Sequence, residues 1–195
     1  MSQNRPRISL IVGSTRPVRI GRQLTDATAA VFADTVDADI QVLDLAEINL
    51  PLLDEPLMAS MNQYSQEHTV AWAKQISESD AVVFVTPQYN AGYPAALKNA
   101  IDYLYAEWKG RPAAIISYGA HGGGAAAKQL REVLEFIGLD LVPGHGAFTI
   151  ERTDYTPAWG LVDADAVVAR YLPEVQKIAG ELMQKIAADE DEQAA

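Results

Sequence analysis

Cysteine is absent from all 195 residues, which removes disulfides, thiolate-bound zinc, iron–sulfur clusters and dithiol redox chemistry from consideration. Any electrons this protein moves must travel on a bound cofactor. Positive charge is scarce as well: 15 Lys and Arg stand against 26 Asp and Glu, a formal net charge of −11. A field of that sign repels nucleic acid and anionic membrane surfaces, so neither is expected as a partner. Long apolar runs are also missing. The stretch over residues 8–12 is far shorter than a signal-peptide core or a membrane span, which points to a cytoplasmic protein. With no repeat, linker or composition shift, one domain is expected over residues 1–188, followed by an acidic, alanine-containing tail at 189–195.

Several catalytic signatures are missing too. No Gly-Lys-Ser/Thr follows the first glycine-bearing loop and no Gly-x-Gly-x-x-Gly lies in it, so nucleoside triphosphates and the dinucleotide fingerprint are disfavoured. Neither Ser14 nor Ser117 sits in Gly-x-Ser-x-Gly, which argues against a hydrolase nucleophile. His68 and His145 show no ligand spacing, with each other or with carboxylates, and no metal site is expected.

What is present is an alternation of apolar runs and helical stripes. Ile8-Ser9-Leu10-Ile11-Val12 and Ala81-Val82-Val83-Phe84-Val85 read as strands buried on both faces. Shorter strands are expected near residues 40–45 and 113–117, and a last one between Leu139 and Ile150, interrupted by Pro143-Gly144-His145-Gly146. Helices are expected near residues 23–33, 64–79 and 95–105, then on the stripe Ala126, Leu130, Val133, Leu134 and Ile137, which Gly138 ends. A final helix carries Val168, Tyr171, Leu172, Val175, Ile178, Leu182 and Ile186, with Pro173 kinking it or marking its true start. Five strands alternating with helices imply an α/β parallel sheet covered on both faces, because parallel neighbours need right-handed crossovers. Ligands of such sheets bind in loops at the carboxyl ends of the strands.

Three of those loops carry chemistry. The first runs from Gly13 to Arg22 between a buried strand and a helix, where free amides and a partial positive charge favour an anion. Ser14 and Thr15 add hydroxyl donors, Arg16 a guanidinium, and Gly21 lies at the helix start; Arg19 and Arg22 are either further phosphate ligands or solvated surface charges. A single phosphate monoester suits this loop. The second loop, Pro87-Gln88-Tyr89-Asn90, is stiffened by proline at both ends, since Pro94 follows, and offers amides and a tyrosine to a flat heterocycle. An ordinary strand-to-helix connection is the alternative. The third, Ser117-Tyr118-Gly119-Ala120-His121-Gly122-Gly123-Gly124, holds four glycines that permit close backbone approach to a ligand. His121 either contacts substrate or is solvated.

Across these loops the sequence resembles the NADPH-dependent FMN reductase family, whose members include flavin, quinone, azo-dye and chromate reductases. The resemblance rests on Gly13-Ser14-Thr15-Arg16, on Pro87-Gln88-Tyr89-Asn90 with Leu97-Lys98-Asn99-Ala100-Ile101-Asp102, and on Ser117-Tyr118-Gly119 with Gly122-Gly123. It implies a flavodoxin-like three-layer sandwich with a five-stranded parallel sheet in the order 2-1-3-4-5. It further implies FMN held by Ser14, Thr15, Arg16, Gly21 and Arg22 at its phosphate and ribityl end, by Pro87, Gln88, Tyr89 and Asn90 at its ring, and by Ser117, Tyr118, Gly119 and Gly122 closing the pocket. NADPH or NADH would be the electron donor and a quinone, flavin or similar small molecule the acceptor, with no dedicated catalytic acid or base. A flavodoxin-like electron carrier without nicotinamide turnover is the rival. By the same resemblance, the family usually has glutamate where this chain has Gln88. The resemblance also implies a homodimer or homotetramer, for which Tyr103, Tyr105 and Trp108 offer an aromatic interface, although core packing accounts for them as well.

Overall fold

A computed structural model describes residues 5–194 of the chain. Strand β1 (Arg7–Val12) leads through the first loop into helix α1 (Gly21–Thr35), and β2 (Asp39–Asp44) is followed by the short α2 (Leu45–Ile48). After an irregular stretch, α3 (Glu67–Ser77) precedes β3 (Ala81–Pro87), α4 (Ala95–Asp102), β4 (Pro112–Gly119) and α5 (Gly124–Phe136). Two short strands, β5 (Asp140–Leu141) and β6 (Gly146–Thr149), then α6 (Ala164–Ala169) and α7 (Leu172–Ala194), complete the chain.

The sheet is parallel in the order β2-β1-β3-β4-β5, as expected, with β6 also on β4. The last strand is thus one edge strand in two pieces: β5 pairs with Pro112 and Ala113, β6 with Ile116 to Gly119. Pro143 breaks it, because proline has no N–H for the ladder. The Arg131 guanidinium donates to the carbonyls of Val142 and Gly144 at 3.1 Å and satisfies two acceptors that the break would otherwise strand.

Both faces of the sheet are covered. Leu24 and Phe32 of α1 and Val175 and Leu182 of α7 pack on one side, and Trp72, Ile76, Leu97 and Leu134 on the other. Each fully buried side chain of this size contributes about 1.5–3 kcal/mol relative to exposure. Tyr103 and Trp108, proposed from sequence as interface aromatics, are instead fully buried in the second of these cores. The Trp108 indole donates to Ile101 and the Trp72 indole to Ala100, so both tryptophans close off the carbonyls at the end of α4. That helix consequently stops at Asp102, short of the expected Tyr105. Helix α6 ends at Ala169 and Pro173 falls in the first turn of α7, where a missing N–H costs nothing. Residues 189–194, read from sequence as a tail, continue α7; Ala, Glu and Gln are good helix formers.

β1 connects onward to β2 on one side of it and β3 to β4 on the other, which makes the crevice above β1 and β3 the topological switch point where ligands of such sheets bind.

Candidate functional site

At the carboxyl end of β1, the Gly13 N–H donates to the Val85 carbonyl at 2.9 Å. A Cβ at Gly13 would stand 3.1 Å from that carbonyl oxygen and from Leu97, so glycine lets the chain turn tightly across β3. Beyond it the hydrogen bonding stops. Among the described residues, no backbone N–H from Ser14 to Gln23 has a protein acceptor, and Ile20, preceding α1, supplies no side-chain cap. A helix start and the loop before it, left with so many free donors, form a site for an anion.

The side chains of this loop divide. The buried Ser14 hydroxyl lies 2.6 Å from the Tyr89 hydroxyl. The exposed Arg16 guanidinium sits 5.8 Å over the Tyr89 ring. Arg19 donates to the buried Asp44 carboxylate at 2.6 Å, while its Nε is buried without a partner. Arg22 is committed to carboxylates: it forks onto Asp26 at 2.9 and 3.0 Å and reaches Glu47 at 2.9 Å. The Asp26 bond raises its pKa against a smaller effect of burial. Gly21 is required by sterics, since a Cβ there would collide with the Tyr118 hydroxyl. Burial pushes that hydroxyl's pKa upward, with the neighbouring Tyr89 adding to the shift, and it stays protonated.

The second loop is a tight turn. Tyr89 and Gly92 exchange backbone hydrogen bonds of 2.8 and 3.0 Å around Asn90 and Ala91, both at positive φ (49° and 65°). Its other end is tied to the third loop, for the Gln88 carbonyl oxygen accepts from the amides of Ala125 at 3.0 Å and Ala126 at 3.3 Å. Gln88 therefore caps α5, whose own N-cap, Gly123, has no side chain to do so. Ser117 donates to the Gly122 carbonyl at 2.6 Å. Gly123 (φ 74°) lies where a Cβ would meet Ser117 and the Tyr118 backbone at 3.0 Å, so this loop folds directly onto β4.

These loops enclose a cavity of about 610 Å³, within the range of roughly 300–1,000 Å³ typical of small-molecule sites. Ser14, Arg16 and Arg19 line one side, Pro87, Gln88 and Tyr89 the next, and Tyr118 and Gly119 another. Of the remaining residues expected from sequence, Thr15 lines a separate hollow of about 270 Å³ with Asn49 and Asn99. Arg22, Asn90, Ser117 and Gly122 do not line the larger cavity, and Gly21 stands behind Tyr118. Two residues that the sequence reading missed, Tyr155 and Trp159, complete the wall. The available signal was an aromatic pair in a Pro- and Gly-containing stretch after the last strand, whose carboxyl end shares the same sheet edge.

The donor set suits a flavin mononucleotide. Free amides with two guanidiniums match a phosphate, and Tyr89, Tyr118 and the backbone of Gly119 offer flat and close-approach surfaces to a ring.

Comparison with known proteins gives a consistent result. The sequence model of the family described as NADPH-dependent FMN reductase matches residues 6–153. An NAD(P)H-dependent FMN reductase from Schizosaccharomyces pombe is 40% identical over 181 residues, covering 92% of this chain and 90% of that protein. A quinone reductase from Pseudomonas putida is 34% identical over 140 residues, 68% of this chain and 71% of its own. Among solved structures, a flavoenzyme NAD(P)H:(acceptor) oxidoreductase from Paracoccus denitrificans superposes with a TM-score of 0.71 at 23% identity, over 92% of this chain and 98% of that one, a likeness of fold.

Proposed function

This chain belongs to the NADPH-dependent FMN reductase family, and on that premise we propose that the cavity over β1, β3 and β4 is where its FMN is held and where donor and acceptor meet it. The activity is that of an NAD(P)H-dependent FMN oxidoreductase. The observation that carries the site reading is the run of free amides from Ser14 to Gln23 beside Arg16 and Arg19.

When bound, FMN would supply the redox chemistry between a reduced nicotinamide and the acceptor. The chain's part is to bind and orient. Ser14, Arg16 and the amides at the start of α1 would hold the phosphate, while Arg19, its charge balanced by Asp44, lines the same end of the cavity. Gln88 and Tyr89 fix the wall along the ring. Gly119 brings the backbone of the third loop to the cavity wall. Thr15, Gly21, Arg22, Asn90, Ser117 and Gly122 act through loop shape and backbone. No side chain is assigned as a catalytic acid or base.

The acceptor is a small molecule, and the name of the Pseudomonas putida relative favours a quinone. Residues 5–188 work as one cofactor-binding unit, a reading supported by the single sheet with cores on both faces. A homodimer or homotetramer is supported by the exposed Leu52, Leu53, Leu57, Met58 and Met61 between α2 and α3, an apolar cluster in want of a cover. A cytoplasmic location belongs to the same proposal, since reduced nicotinamide nucleotides are supplied there.

The test is visible absorbance of the purified protein with added FMN, followed by anaerobic addition of NADPH and then NADH. Bound flavin that bleaches supports the reading. Flavin that binds and stays oxidised would restore the carrier, and protein that takes up no flavin removes the site.

A further inference from the structure

We propose that Trp159 closes the phosphate end of the cavity and sets how long FMN is retained and how strongly it is preferred over FAD. The inference rests on the reading of this cavity as the FMN site.

Trp159 lies beyond residues 6–153, the part matched by the family model, on a turn that is locked at both ends. Thr156 N–H donates to the Gly160 carbonyl at 2.8 Å, Gly160 N–H to the Thr156 hydroxyl at 3.1 Å, and Trp159 N–H to the Thr156 carbonyl at 3.0 Å. Tyr155 and Leu161 bridge the base of the turn. The turn is then fastened to α1, because Leu161 N–H donates to the Gln23 side chain at 3.0 Å while the Leu161 side chain is buried. Gln23 is in the first turn of α1, the one whose amides are free.

This turn holds a large residue in an unfavourable way. Trp159 has φ 64°, a left-handed conformation that bulky side chains rarely adopt. Burial does not explain it: Trp159 is 65% exposed, whereas Trp72 and Trp108 are 1% and 0% exposed. An indole held in strain and left out of the core gives the fold little, and strain of this kind gathers at ligand sites. Tyr155 meets it edge-on, with ring centroids 5.7 Å apart at 64°, so the tyrosine braces the indole without covering its face. Both rings line the cavity. The Leu161–Gln23 bond holds the pair beside the first turn of α1, on the same cavity wall as Arg16 and next to the anion loop.

A ligand ending in one phosphate fits between the free amides and these rings. A dinucleotide, which extends beyond its phosphate, would have to pass the two rings that wall this side of the cavity. Trp159 therefore retains FMN and excludes the adenylate half of FAD.

The test compares wild type with Trp159→Gly, which suits the positive φ and removes the ring, and Trp159→Phe, which keeps one. The readouts are the apo-protein melting temperature, the rate at which bound FMN regains free-flavin fluorescence on dilution, and FMN and FAD affinity by titration. Trp159→Gly is expected to melt no lower than wild type, to release FMN about three- to tenfold faster, as loss of an aromatic contact predicts, and to narrow the preference for FMN. Trp159→Phe should stay near wild type. An unchanged release rate in the glycine variant, equal release by the glycine and phenylalanine variants, or wild-type protein binding FAD as tightly as FMN each overturns the role of Trp159. Wild-type protein that binds no FMN would instead overturn the reading of the cavity itself.

Discussion

The hydroxyl oxygens of Ser14 and Tyr89 stand 2.6 Å apart, joining the loop after β1 to the loop after β3. Ser14 is 1% exposed, so its hydroxyl has no bulk water to fall back on. Tyr89→Phe is expected to cost about 1 kcal/mol in stability, the usual net worth of one hydrogen bond. Ser14→Ala should weaken FMN binding more than Tyr89→Phe does, because it removes a phosphate donor as well as the link. Denaturant melts with FMN titrations check this; equal affinity in both variants would argue that Ser14 serves the link alone.

The arginines of the first loop should behave unequally. Arg16 reaches the cavity with no carboxylate partner among the described residues, whereas the Arg22 side chain is taken up by Asp26 and Glu47. Arg16→Ala is expected to weaken FMN binding by about 1.5–3 kcal/mol, the cost of a lost charge-assisted contact. Arg22→Ala should change affinity by less than about 0.5 kcal/mol, as surface substitutions usually do. Fluorescence titration of both variants decides it, and a reversed order would reassign the phosphate ligand.

Gln88 can be tested through the helix it caps. Its carbonyl oxygen takes two amides at the start of α5, and loss of such a cap in Gln88→Ala is expected to cost about 1 kcal/mol of stability. Gln88→Glu should be at least as stable as wild type, since a carboxylate at a helix N-terminus gains about 0.3–1 kcal/mol. A glutamate at this position then makes the same bonds with added charge. A glutamate variant that melts well below wild type would show that the amide, not the oxygen, matters here.

Glu55 predicts an acid-sensitive anchor. Its carboxylate accepts from the amides of Ser65 and Gln66 and from the Ser65 hydroxyl, at 2.8 to 3.1 Å. Burial works to raise its pKa, but these bonds outweigh that and hold it at about 2. A carboxyl depressed on folding contributes its stability above the unfolded value of about 4.3 and loses it as the pH falls toward the folded one. The melting-temperature gap between wild type and Glu55→Gln should therefore be full at neutral pH and shrink between about pH 5 and 2. A gap independent of pH would mean that the carboxylate's charge plays no part.

Much of this fold is written in local patterns. Residues 8–12 and 81–85 are apolar almost throughout, and a run of that kind can only be satisfied by burial on both faces, which already implies a parallel sheet with helices on either side. The missing cysteines and Gly-Lys-Ser/Thr narrowed the chemistry in the same direct way. The three loops could be located because each lies where a buried strand meets a helix. Even the break in the last strand was visible, as Pro143 has no N–H to give.

Tertiary structure decided which side chains of those loops meet. Arg16, Arg19 and Arg22 look alike in sequence, and what separates them is Asp44, Asp26 and Glu47, brought close by β2, α1 and α2. Arg22–Asp26 is an i,i+4 pair of the kind helical spacing allows, but Asp44 and Glu47 meet the arginines only through three-dimensional proximity, which no periodicity encodes. For the same reason Gln88 could be recognised as a cap only once α5 was in place, and Tyr103 and Trp108 as core only once α3 and α4 had packed around them. The turn that carries Trp159 is tied to α1, more than a hundred residues away, through the Leu161–Gln23 bond. Sequence determined which edge of the sheet carries the three loops, because burial and hydrogen-bond rules act locally; the walls of the cavity follow from packing between segments distant in the chain.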